Sequence, residues 1–167
     1  AQIVPSNSGL KIGDVQIAFG HDTLFLSDLM AVFLVKDNLG KRPIYFAWSD
    51  ADFPDATLGL STYMLTQGLV RKLNPTPLEP GEGVVLNRGL GFVDLNRTRD
   101  LLFKVYQYDA ASRARPRGWV DRPSQSILSL YSVVYGLVGP SFQAAGDTAL
   151  DTRPGEPPPP SSYPHRP

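Results

Sequence analysis

Apolar and polar positions alternate over residues 14–20 (DVQIAFG), between Gly13 and Gly20, and predict a short strand. The period then lengthens. Ser27 offers an N-cap, Asp28 falls in the first turn, and Leu29, Val32, Phe33 and Lys36 follow at helical spacing, with Gly40 placed to end the helix. Residues 43–48 (PIYFAW) form a β-branched and aromatic run opened by proline, which a strand tolerates at its start. Strand, helix and strand in this order predict a right-handed βαβ unit with its two strands parallel. Further along, residues 58–66 suggest a short helix, residues 68–73 a third strand, and residues 74–83, with Pro75, Pro77, Pro80, Gly81 and Gly83, a loop. Asp94 is placed to cap a helix running to about Tyr106, with Leu95, Leu102, Val105 and Tyr106 on one face. Pro123 suits the first turn of a long final helix, whose apolar stripe is Ile127, Leu130, Tyr131, Val134, Leu137 and Val138.

The pattern therefore predicts an α/β protein: a small sheet with a parallel βαβ unit, a C-terminal helical pair and a proline-rich tail. Its expected divisions are an extended segment at 1–12, an α/β head at 13–93, a helical part at 94–150 and the tail at 151–167. That tail carries seven prolines, four of them consecutive at 157–160. Proline fixes φ and removes donors, so a disordered, polyproline-like terminus is expected, with a PxxP-type recognition ligand as the sharper alternative.

The chain has 167 residues, with 16 Lys and Arg against 16 Asp and Glu and a formal net charge of zero. Neutrality argues against a nucleic-acid partner, because duplex affinity comes largely from phosphate neutralisation. A hydrophobic content of 42% supports one sizeable core. Cysteine is absent, which excludes disulfides, thiolate nucleophiles and cysteine-ligated metals. The opening Ala1-Gln2-Ile3-Val4-Pro5 has no signal-peptide pattern, and a processed product or an excised piece of a longer protein is expected. The uncharged stretch around residues 123–146 carries Ser124, Gln125, Ser126, Ser129, Ser132 and Gln143, which fits a buried helix with a polar stripe better than a membrane span.

Three groups of residues suggest chemistry. Asp50 and Asp52, just after a predicted strand, have the i, i+2 spacing with which two carboxylates hold a divalent cation against a diphosphate, and Asp55 lies close by. The plainer reading is a solvated acidic loop. His21 and Asp22 follow the first predicted strand, so parallel strands would gather His21, Asp22, Asp50 and Asp52 at one carboxyl edge, where open α/β sheets bind ligands. Such a group would hold a metal or run acid–base chemistry, and its alternative is a histidine that caps a turn. Arg113, Arg115, Arg117 and Arg122 surround Trp119, a combination suited to anionic headgroups or a sugar phosphate, or simply to a solvated face. Nucleophile elbows, dinucleotide loops and Walker patterns are absent. The only other histidine, His165, lies in the tail, which leaves almost no ligand supply for zinc. No cofactor is expected.

Several segments occur in a recognisable order: Asn38-Leu39-Gly40-Lys41-Arg42-Pro43-Ile44-Tyr45-Phe46-Ala47; Leu58-Gly59-Leu60 with Tyr63; Gln67-Gly68-Leu69-Val70 with Leu73-Asn74-Pro75; Asp94-Leu95-Asn96-Arg97-Thr98; and Trp119-Val120-Asp121-Arg122-Pro123-Ser124. From about residue 13 to 147 the chain resembles the C-terminal, extramembrane part of bacterial polytopic membrane proteins of uncharacterised function related to protein O-mannosyltransferases. The resemblance implies transfer of a sugar from a lipid-linked donor by acidic loops near an N-terminal membrane region. That region is not in this sequence, so no catalytic residue carries over. The helical repeats usual at that family's end begin at Gly146-Asp147-Thr148 and then give way to the tail. The expectation is a non-catalytic accessory or interaction domain on the extracytoplasmic (periplasmic) face of the inner membrane. Its partner would be a membrane-embedded portion or a partner membrane protein, and an acceptor protein or glycan is a further candidate. The alternatives are a metal- or phosphosugar-binding enzyme using His21, Asp22, Asp50 and Asp52, and a structural subunit attached through the Trp119 loop and the tail.

Overall fold

The structure, a computed structural model, describes residues 2–3, 8–50, 52–106 and 122–144, with backbone only for residues 2–3 and 122–128. The expectations for the arginine-rich loop with Trp119 and for the proline tail lie outside the described residues, as do the side chains of Arg122 and Ile127.

The chain is mixed α/β. Strand β1 (Gln2–Ile3) pairs antiparallel with β4 (Thr23–Leu24), and β2 (Gly9–Ile12) pairs antiparallel with β3 (Val15–Ala18) across the turn at Gly13. Helix α1 (Leu26–Asn38) leads to the main sheet, which contains β5 (Ile44–Ala47), β6 (Met64–Gln67), β7 (Val70–Leu73), β8 (Val84–Asn87) and β9 (Gly91–Asp94) in the order β5-β7-β6-β9-β8. Helix α2 (Leu95–Asp100) continues into a π-helical turn (Leu101–Val105), and α3 (Arg122–Ala144) is the long final helix.

The sheet does contain a parallel pair, but it is β6 with β9. The strands expected to be parallel neighbours, β3 and β5, belong to different sheets. The unforeseen strand β2 takes up the edge of β3, and β5 finds its partner in β7, antiparallel, with Ile44 opposite Leu73. Residues 58–66 are also corrected. A single 3₁₀ turn (Ser61–Tyr63) leads straight into β6, whose Met64, Leu65 and Thr66 are all buried. A run buried on both faces has no strand-like alternation, and helical spacing was the accidental result. Gly68, at φ +62°, makes the tight β6–β7 turn, and a side chain there would strike the Tyr106 hydroxyl.

The helix boundaries follow local chemistry. The N-cap of α1 is Phe25 rather than Ser27: the buried Asp28 carboxylate accepts the Phe25 N–H at 2.8 Å, and Ser27 Oγ bonds to that same carboxylate. Asp94 caps α2 as expected, accepting the Arg97 N–H at 2.9 Å. The helical pair also forms, with the Tyr135 hydroxyl donating to the Leu102 carbonyl at 3.0 Å and edge-on ring contacts between Phe103 and Tyr135 and between Tyr106 and Tyr131.

Two apolar clusters hold these parts. Val15, Ile17, Val32, Val35, Leu58, Leu60, Tyr63, Met64 and Leu73 join β3 and α1 to the β5–β7–β6 end of the sheet. Leu90, Val93, Leu95, Leu102, Val134, Val138 and Phe142 join α2 and α3 to the β9 end. Residues on both sides of position 94 thus share the second cluster. Among the described residues, no helix is long and apolar enough to cross a membrane.

Candidate functional site

The four residues expected to crowd one sheet edge sit on two loops. His21 and Asp22 lie between β3 and β4, Asp50 ends a 3₁₀ turn (Trp48–Asp50), and Asp52 precedes a π-helical turn (Phe53–Thr57); all four are exposed. The carboxyl edge that was to gather them does not exist, because β3 and β5 are not neighbours. The two loops still approach by another route. Gly20 N donates to the Thr57 carbonyl at 3.1 Å, and Gly20 packs so tightly on the Ala56 carbonyl that no Cβ would fit. Among the described residues, no group of three or more His, Asp or Glu side chains is placed to hold a metal ion.

Asp55 has a definite structural task. Its Oδ1 accepts from Arg71 Nη2 at 2.9 Å, and the Arg71 side chain, in the middle of β7, is 3% exposed. The pair anchors the 53–57 turn to the sheet. A buried guanidinium needs such a carboxylate, because transfer from water without one costs several kcal/mol, on the order of the penalty for any buried unpaired ion. Asp55 is therefore committed to a fold contact.

The most distinctive surface feature was not singled out from the sequence. On α1, Val32 and Val35 are buried in the first cluster, while Phe25, Leu26, Met30, Phe33 and Leu34 are between 58 and 71% exposed. Positions 26, 30, 33 and 34 fall on one side of the helix, at i, i+4, i+7 and i+8. Phe33, expected on the same stripe as Val32, points the other way. The helix is apolar on two sides, so its pattern signals burial all round, yet one side has no cover among the described residues. Scattered exposed leucines need no explanation, whereas four large apolar side chains on one side of a helix, with Phe25 exposed at its N-cap, mark an interaction surface.

The fold and this row define a mixed α/β domain with an apolar helix face turned to solvent. No family model, curated protein or solved structure matches the chain.

Proposed function

We propose that the chain is a non-catalytic accessory domain of a glycosyltransferase-like membrane protein. It works by contact at the extracytoplasmic face, and its partner is a membrane-embedded polypeptide. The observation that carries this reading is the row Phe25, Leu26, Met30, Phe33 and Leu34, more than half exposed on a helix whose other side is anchored in the core. Burying a Phe or Leu side chain contributes about 1.5–3 kcal/mol, so the row would supply substantial binding energy against an apolar partner. The resemblance described above supports the choice of partner. Its matched segments also have structural work here: residues 38–47 turn from α1 into β5, and Gly59 and Gly68 take positive φ at the turns before and after β6.

The test places a photo-crosslinking side chain at Phe33 in the intact gene product, expressed in its native host. A covalent adduct with an identified polypeptide that has spanning helices is expected, and it should vanish when Met30→Lys and Leu34→Lys are added. No adduct, or an adduct indifferent to those changes, would overturn the reading. Heat released on titration with Mn²⁺ or a nucleotide sugar, and abolished by Asp50→Ala or Asp52→Ala, would also overturn its non-catalytic part.

A further inference from the structure

We infer that the turn between α1 and β5 forms a binding cleft for a phosphate ester that carries an apolar group. Pairing of Ile44 with Leu73 brings the start of β5 beside the end of β7. The result is a cleft of about 340 Å³, lined by Leu39, Gly40, Pro43, Ile44, Leu73 and Pro75 together with three cations, Lys41, Arg42 and Lys72.

No acidic residue lines this cleft. Lys41 and Arg42 are exposed and Lys72 is half-buried, and none of the three makes an ion pair with a described residue. The backbone that carries the three cations is held in place. The Lys41 and Arg42 amides both donate to the Asn38 carbonyl at 2.9 Å, which fixes the turn, and Lys72 is fixed by its place in the sheet opposite Tyr45.

Part of this arrangement has a plain explanation: Lys41 and Arg42 follow the C-terminus of α1, where cations answer the helix dipole. That does not account for Lys72, which comes from another element. Three like charges around one small cleft repel one another, and a dianion relieves that repulsion. A phosphate monoester suits the set, since a guanidinium binds two phosphate oxygens at once and the lysines act as point charges. The floor of Leu39, Pro43, Ile44, Leu73 and Pro75 then receives the apolar part of the ester. The source of such a group is either a lipid headgroup or a soluble organic phosphate. The cleft shares no lining residue with the α1 row, so this inference and the proposed docking fail independently.

Amide chemical shifts of the full chain, titrated with phenyl phosphate, test it. Saturable shifts are expected at residues 40–42, 44 and 72–74, with inorganic phosphate weaker and neutral benzyl alcohol inert. Arg42→Gln with Lys72→Gln should weaken binding about tenfold or more, as expected for loss of charge-assisted hydrogen bonds. Lys72→Gln alone should weaken it less, and Lys11→Gln, in the separate small sheet, should leave it unchanged. Unshifted amides elsewhere confirm that the variants fold. Flotation with phosphatidylcholine vesicles containing phosphatidic acid, lost in the double variant, identifies the headgroup source; phenyl phosphate binding without flotation identifies the soluble one. Absence of saturable shifts at the cleft, or equal weakening by Lys11→Gln, overturns the inference.

Discussion

Arg71 places a guanidinium in the middle of a sheet, and its contact with Asp55 determines how the 53–57 turn is held. Asp55→Asn keeps the shape but removes the carboxylate's negative charge opposite the buried guanidinium, so a loss of about 1.5–3 kcal/mol is expected in denaturant unfolding. Asp100 behaves differently because it is half-exposed. Its hydrogen bond from Lys104 Nζ, at 2.6 Å, holds its carboxyl below the ordinary carboxylate pKa, and the positive charges of Lys104, Arg97 and Arg99 act in the same direction. A depressed carboxyl stabilises the fold above the unfolded-state pKa, and that contribution disappears as pH falls through the lowered folded value. Carboxyl NMR titration should therefore place Asp100 below a free aspartate in the native protein and return it upward in Lys104→Gln.

At the scale of elements, α1 carries the clearest expectation. Replacing Phe33 and Leu34 by Gln removes exposed apolar surface without opening a cavity. Stability should change by no more than about 0.5 kcal/mol per site, while self-association at high concentration, read by light scattering, should fall. This helix also shows what sequence alone can tell. Its existence and its end at Gly40 were legible, because spacing and a positive-φ glycine act locally. Its orientation was not, because Leu26, Met30, Phe33 and Leu34 are as apolar as Val32 and Val35, and only tertiary packing decides which side is covered. Strand β5 was legible for a similar local reason, in its proline-led aromatic run. Strands β8 and β9 went unread: neither VVLN nor GFVD alternates apolar with polar positions, and Asn87, Gly89 and Gly91 between and within them read as a turn.

Across the whole molecule, the expected site failed through topology and not through chemistry. His21, Asp22, Asp50 and Asp52 were to be gathered by a parallel neighbour relation, and pairing partners depend on strands far away in sequence that no local window contains. The aspartate that the fold pairs with a buried cation, Asp55, gave no signal of that role because its partner lies sixteen positions on, in another element. The two apolar clusters have no buried residue in common. Leu58→Ala and Leu102→Ala should each cost about 2–5 kcal/mol, and the double variant should match their sum to within about 0.5 kcal/mol in chemical denaturation.

The small β2–β3 hairpin has no strand pairing to the main sheet, yet it is sewn to the body from both sides. Ala18 N and Gly20 N donate to the carbonyls of Leu58 and Thr57, and the Tyr63 hydroxyl bridges Gln16 N and the Asp14 carbonyl. It cannot peel away as an independent flap. Its Ala18 and Gly20 amides should consequently exchange with deuterium as slowly as the backbone of β7, so that the hairpin melts only when everything does.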